Sequence, residues 1–349
     1  MKSKPLNPPR LIAWETTRAC NLICRHCRAE AVMEPPEGEL SHEEGLDLLD
    51  QAAAWPPPPM IILSGGEPLM RRDILELASY GSRKGLRMLL STNGTLVSAD
   101  LARRMKEAGV ARVSLSLDAP DAASHDDFRG LKGAFEGLIT AARYLKEAGL
   151  PFQINTTLTS ANLHQAEEMG ALTERLGAVA HHIFLLVPVG RAEEMEPGSL
   201  SAEEYEAALK ILKQRETSLS LEFKATCAPQ YQRIGRQLSG PAKSGHAGRG
   251  CMAGQGFLFI SSTGDCQGCG YLPLKAGNIR QAPVREIYEK ASLFVNFRDK
   301  NLYHGKCGKC EYWNICGGCR ARAHAAGDHM GPEPLCPYLP HKPQSGAVI

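Results

Sequence analysis

Between Leu11 and about Val189, short apolar and β-branched runs alternate with longer segments whose apolar positions recur at helical spacing. That alternation predicts repeated βα units on a parallel sheet, because parallel neighbours need a long crossover and a helix supplies it. Six strands are expected: Leu11 to Glu15, Met60 to Ser64, Arg87 to Ser91, Arg112 to Leu117, Phe152 to Thr157 and His182 to Val187. Ser41 followed by Glu44 forms a capping box, and the helix it starts is expected to end near Trp55, where Pro56 to Pro59 bar continuation. Further helices are expected at Arg72 to Lys84, Ser98 to Ala108, Lys132 to Ala148, Ala161 to Leu176 and Ala202 to Gln214. Glycine follows several of them, at residues 85, 109, 149 and 177, as a left-handed helix exit favours. Six such units fall two short of a closed eightfold barrel. The expected α/β fold is therefore a partial (β/α)6 barrel over residues 11–218, with its chemistry at the carboxyl ends of the strands. Residues 1–10, with three prolines, read as a flexible arm, residues 219–250 as a linker or loop, and residues 251–349 as a small cysteine-rich unit.

Composition narrows the class. With 40 basic and 38 acidic residues, the net charge of +2 gives no electrostatic reason to expect nucleic acid. No apolar run approaches the roughly 20 residues of a spanning helix, and no basic leader precedes an apolar core, so neither membrane nor secretion is expected. Cytoplasmic placement then makes ligation the better account of twelve cysteines than disulfides, and none of them falls between Cys27 and Cys227.

The chemistry begins just past the first strand. Cys20, Cys24 and Cys27 stand in a Cys-x3-Cys-x2-Cys array. Three thiolates on a 4Fe-4S cube leave one iron without a protein ligand, open to a small molecule, whereas four would close a zinc or structural site. After the second strand come Gly65, Gly66, Glu67 and Pro68; the glycines would let backbone approach a ligand and Glu67 could accept from an ammonium group. Thr92, Asn93 and Gly94 follow the third strand, and Ser116 and Asp118 lie on and after the fourth, short polar groups that suit ribose hydroxyls. Taken together and in this order, these residues resemble the radical S-adenosylmethionine (SAM) enzymes. The resemblance implies that the open iron chelates SAM and that the reduced cluster cleaves it to a 5'-deoxyadenosyl radical. It also implies SAM-binding roles for His26 in the cysteine motif, for Gly65, Gly66 and Glu67, and for Thr92, Asn93, Ser116, Asp118 and Arg129. Asn155 and Thr157, with Val187 and its neighbours to Gly190, are candidates for the adenine end of the pocket.

The tail carries Cys251, Cys266, Cys269, Cys307, Cys310, Cys316, Cys319 and Cys336, and the run FLFISSTGDCQGCGY reads as a β-hairpin turning at Thr263 to Asp265. This arrangement resembles the SPASM domain, a holder of auxiliary 4Fe-4S clusters. The resemblance implies that Cys307, Cys310, Cys316 and Cys336 hold an outer cluster and that Cys251, Cys269 and Cys319 hold an inner one. Its fourth ligand is left between Cys266, Cys227 and an open iron. The Cys316-x2-Cys319 spacing is one residue shorter than the usual three, and a zinc ribbon is the other reading of the two Cys-x2-Cys pairs. CGYLPLKAGNI, GKCGKCEYWNICGGCRARA and CPYLP are similar to the heme-synthesising branch of that group. Membership there implies conversion of iron-coproporphyrin III to heme b by oxidative decarboxylation of two propionates, with a ferredoxin or flavodoxin as low-potential donor. Arg191, Lys224, Arg320 and Arg322 are candidates to meet the propionates, and His182, His246 or His324 to ligate the porphyrin iron. Competing readings are a d-type heme enzyme, a maturase of a ribosomal peptide and a non-catalytic iron-sulfur electron carrier. No leader-binding module stands before Cys20, which counts against the maturase, and the GGEP run counts against the carrier.

Overall fold

Strands form at all six expected places, and the polypeptide adds four more to the same sheet. The computed structural model describes residues 6–198, 200–216, 220–240 and 250–341. Its strands are β1 (Leu11–Thr17), β2 (Met60–Gly65), β3 (Met88–Thr92), β4 (Val110–Ser116), β5 (Phe152–Leu158), β6 (Ala180–Leu185), β7 (Glu222–Thr226), β8 (Phe257–Ile260), β9 (Asp265–Cys269) and β10 (Leu272–Asn278). They lie in the order β10-β9-β8-β1-β2-β3-β4-β5-β6-β7. All neighbours from β8 through β1 to β7 are parallel, and β9 runs antiparallel to both β8 and β10.

The helices are α1 (His42–Ala53), α2 (Ile74–Arg83), α3 (Ala99–Glu107), α4 (Ala122–Arg129), α5 (Ala134–Glu147), α6 (Ala166–Leu176), α7 (Ala202–Arg215), α8 (Gln230–Ser239), α9 (Val284–Lys290), α10 (Ser292–Arg298), α11 (Gly305–Lys309) and α12 (Arg320–Ala325). The α1 cap forms as expected, with Ser41 and Glu44 each bonding the other's backbone N–H. Strand alternation sorts the side chains. Ile12, Trp14, Ile61, Leu63, Met88, Leu90, Val113, Leu115, Ile154, Ile183 and Leu185 are buried in the core under the helices. Trp14 lies so close to α1 that a Cβ on Gly45 would be 2.7 Å from its ring. The opposite, inner face carries Glu15, Ser64, Ser116, Asn155, Thr157, His182 and Lys224.

Two features depart from expectation. The segment expected to be a linker contains β7, paired with β6 from Ala180↔Glu222 to Phe184↔Thr226, and then α8. The pattern hid β7 because it has only five residues, with Glu222, Lys224 and Thr226 on the inner face and Phe223 packing its ring toward Tyr231 and His181. Residues 241–249, His246 among them, lie outside the described residues, as do residues 1–5 of the expected arm. Helix α4 was also not anticipated. Asp121 caps it through the Ser124 N–H, and Gly130 ends it at φ +69°. The expected hairpin forms as β8 and β9, but β8 docks parallel on the free edge of β1, so the tail and the barrel share one sheet.

Candidate functional site

The loop from Arg18 to Val32 leaves the carboxyl end of β1 and is gathered by its own backbone. Cys20 N donates to Val32 O at 2.7 Å and Val32 N to Arg18 O at 3.1 Å. The Arg18 guanidinium reaches Ala29 O at 2.8 Å. Cys20 and Cys24 pack with Leu22 and Ala31 into a small buried cluster that Cys27 joins. Burial pushes the Cys20 thiol up to about 12, opposed by the Leu22 N–H at 3.4 Å from its sulfur. Burial raises Cys24 as well, opposed by the Arg129 guanidinium 3.7 Å from its sulfur. Such thiols keep their protons at neutral pH until a metal displaces them.

Neighbouring strand ends hold this loop from three sides. Gly66 N and Glu67 N donate to Thr17 O and Ala19 O at 2.8 and 2.7 Å. A Cβ on Gly65 or Gly66 would lie 2.2 Å from Thr17 O or 2.3 Å from Ala19 O, so these glycines admit the loop's own backbone. Glu67 is completely buried, and its carboxylate accepts from Leu69 N at 3.1 Å and Asn93 N at 2.8 Å. Burial lifts its pKa to about 7. The carboxylate locks the turn to β3. Asn93 donates to Asn21 Oδ1 at 2.9 Å and accepts from Thr95 N and Oγ1, while Asn21 donates to Thr95 Oγ1 at 2.8 Å. Thr92 Oγ1 accepts from Gly94 N at 3.1 Å.

The fourth strand brings a buried ion pair. Asp118 Oδ2 lies 2.5 Å from Arg129 Nη2, and Asp118 Oδ1 accepts from Thr157 N at 2.6 Å. Burial favours the neutral acid, yet Arg129, His26 and His125 outweigh it and hold the pKa below the usual carboxylate range. His26 stacks on Phe128 of α4 with ring centroids 4.5 Å apart, and burial lowers its pKa to about 4. Its Nδ1 and Arg129 Nε are buried with no hydrogen-bond partner among the described residues, two donor or acceptor positions open to a polar ligand beside Cys24. Ser116 shares the inner face of β4. Asn155, on the inner face of β5, accepts from Gln153 at 2.9 Å, and Val187 is buried just past β6.

Three of the four cations expected to meet substrate make hydrogen bonds within the protein, although Arg191 Nη2 and Arg322 Nη1 are buried without a hydrogen-bond partner among the described residues. Arg191 braces the cysteine loop, donating from Nε to Cys24 O at 2.9 Å and from Nη1 to Ala31 O at 3.1 Å. Arg320 is buried, donates to His329 O and Gly331 O, and lies 3.7 Å from the Cys307 sulfur. Arg322 is buried on Glu333 at 2.9 Å and donates to the Tyr205 hydroxyl at 2.9 Å. Lys224 differs: it is exposed on the inner face, and among the described residues it has no ion pair within 4 Å. His182 Nδ1 lies 3.0 Å from Gln153 Nε2, and Gln153 Oε1 accepts from Arg112 at 3.3 Å. His324 sits on α12, half-buried beside His329.

In the tail, Cys307, Cys310, Cys316 and Cys336 line one cavity walled by Trp313, Gly317 and Gly318. Glu333 N donates to the Cys307 sulfur at 3.3 Å, and Arg233 approaches the Cys336 sulfur at 4.0 Å. A void ringed by sulfurs and backed by donors suits an iron-sulfur cube. Cys269 lies on the inner face of β9 with Tyr271 N at 3.4 Å from its sulfur. Cys266 is on the other face, completely buried in the core. Sequence reasoning missed Arg28, whose only signal was its place next to Cys27. It pairs with buried Glu15 at 3.0 Å and lies 4.6 Å from the Phe259 ring centroid.

The Radical SAM superfamily profile matches residues 14–172, and that of SPASM, an iron-sulfur cluster-binding domain, matches residues 251–319. The chain is 51% identical over 345 residues to a Nitratidesulfovibrio vulgaris protein named AdoMet-dependent heme synthase, covering 95% of this chain and 93% of that one. A Methanosarcina barkeri protein of the same name is 45% identical, covering 96% and 98%. Among solved structures, Streptococcus suis SuiB bound to S-adenosylmethionine superposes with a TM-score of 0.74 at 18% identity, covering 95% of this chain and 77% of that one, which shows a common fold.

Proposed function

The chain belongs to the radical SAM superfamily, and from that premise we propose that it makes heme b from iron-coproporphyrin III, turning two propionates into vinyl groups. The observation that carries this is identity of 51% and 45% along nearly the whole length of two proteins named for heme synthesis. The family's domains bind a 4Fe-4S cluster with SAM, and auxiliary iron-sulfur clusters in the tail. When bound, they would supply a 5'-deoxyadenosyl radical able to take a hydrogen atom from the carbon beta to a carboxylate, and loss of carbon dioxide would leave the vinyl group with the remaining electron passing to an auxiliary cluster.

The residues support particular shares of this work. Cys20, Cys24 and Cys27 hold the first cluster, with His26, Arg129 and Ser116 facing SAM. Glu67, Asn93 and Asp118 position the loops around it, because each is already spent on backbone or on Arg129. Cys307, Cys310, Cys316 and Cys336 hold the outer auxiliary cluster, and Cys251, Cys269 and Cys319 belong to the inner one. Lys224 meets a propionate, being the candidate cation left exposed on the inner face. Electrons arrive from a low-potential donor.

Titration of the anaerobically reconstituted protein with iron-coproporphyrin III tests this. Saturable binding with a shifted visible band is expected, weakened about tenfold in Lys224→Ala, the worth of one charged hydrogen bond. No spectral change at saturating pigment would overturn the porphyrin reading and turn attention to a peptide substrate.

A further inference from the structure

Cys227 follows directly on β7, and its backbone is left-handed, at φ +55°. Residues with a Cβ rarely take that conformation, and where they do the surroundings must enforce it for a reason. The enforcing contacts can be followed. Cys227 O accepts from the Tyr205 hydroxyl at 3.2 Å, and that hydroxyl accepts from Arg322 Nη2 at 2.9 Å. Arg322 Nε donates to Glu333 Oε1 at 2.9 Å, and Glu333 Oε2 accepts from Cys319 N at 2.6 Å. A continuous run of hydrogen bonds therefore joins Cys227 to Cys319. The Cys227 sulfur lies within electrostatic reach of the sulfurs of Cys269, Cys319 and Cys251. Cys266, the other candidate, cannot join them, because β9 turns it to the face opposite Cys269, into apolar core.

We propose that Cys227 is the fourth thiolate of the inner auxiliary cluster, completing it with Cys251, Cys269 and Cys319. The cluster then has no open iron, so it exchanges electrons with bound substrate and does not ligate it. The set also spans the sheet. Cys227 comes from the β7 edge and Cys269 from β9, next to the opposite edge, so the cluster joins the two margins of a barrel that strands leave unclosed. The inference rests on the reading of the tail as the holder of two clusters.

The test uses the full chain, reconstituted anaerobically, with iron and sulfide counted per chain and electron paramagnetic resonance recorded after reduction. Cys227→Ala is expected to lose one cube, about four irons, or to keep it with an altered signal that shifts when cyanide is added to the exposed iron. Cys227→Ser, nearly isosteric, is expected to show the same change in milder form, and Cys266→Ala to match the parent. SAM cleavage to 5'-deoxyadenosine, retained in each variant, reports that the barrel and first cluster are intact. Parental iron content and signals in both Cys227 variants would overturn the assignment, as would loss of a cluster in Cys266→Ala. Cys251→Ala separates the two levels. If it loses a cluster while the Cys227 variants do not, the fourth ligand is misassigned; if it too is unchanged, the inner cluster itself is absent.

Discussion

Arg28 carries a charge that two sulfur sites share, since it acts on both Cys27 and Cys269. Burial opposes that charge, and Glu15, Tyr271 and Cys27 together outweigh it, raising the guanidinium's pKa. A fixed cation favours the more negative, reduced state of any cluster nearby. At roughly 10 Å and an effective dielectric of about 20 the effect is about 1.7 kcal/mol, or roughly 70 mV for one electron. Arg28→Met is therefore expected to lower the reduction potential of the adjacent clusters by tens of millivolts, read in a redox titration followed by electron paramagnetic resonance. The variant also strands Glu15, which is buried, and that defect alone costs about 3–5 kcal/mol. The double variant with Glu15→Gln relieves the stranded charge and, because it also removes a negative charge beside the same clusters, should recover part of the potential.

At the level of elements, the cysteine loop borrows its shape from the turns that follow β2, β4 and β6. Gly190 shows how closely. It sits at φ +59°, and a Cβ there would fall 2.6 Å from Arg28 O and 2.8 Å from Cys27 O. Gly190→Ala should push this turn off the loop and slacken the two bonds from Arg191, costing about 1–2 kcal/mol for the left-handed backbone alone. Chelator should then strip iron from the first cluster several times faster while the tail's iron leaves at the parental rate, measured by bleaching of the visible absorption. The same turn marks what the sequence could convey. Six strands, the α1 cap and the clustering of polar residues past strand ends were legible because periodicity and capping are local. The commitment of Glu67 to Asn93 N, of Arg191 to Cys24 O and of Arg322 to Glu333 was not, because a cation or carboxylate in a motif looks the same whether it faces a ligand or a neighbouring loop. Strand β7 stayed hidden for a related reason: a polar inner face makes a short strand resemble a loop.

Over the whole molecule, the ten-stranded sheet has margins at β7 and β10 that do not pair with each other. What spans them is side-chain chemistry: the run from Tyr205 through Arg322 to Glu333, and the sulfurs around it. Removing iron should therefore loosen the margins first. Amide exchange in β7 and β9–β10 is expected to rise on chelation, well before exchange in β2–β4, whose residues Leu63, Leu90 and Val113 are completely buried. Uniform acceleration across the sheet would argue that the sulfurs carry no such load.

One pairing bears on how the chain comes to exist at all. Leu11, Ile12, Ala13 and Trp14 find their second strand neighbour only in Phe257 to Ile260. During synthesis the opening strand must wait, with the N–H and C=O groups of one edge unpaired, until most of the polypeptide has left the ribosome. A product cut short before Phe257 would keep that bare margin permanently, ready to pair with any passing strand, so incomplete copies should aggregate where finished ones stay dispersed.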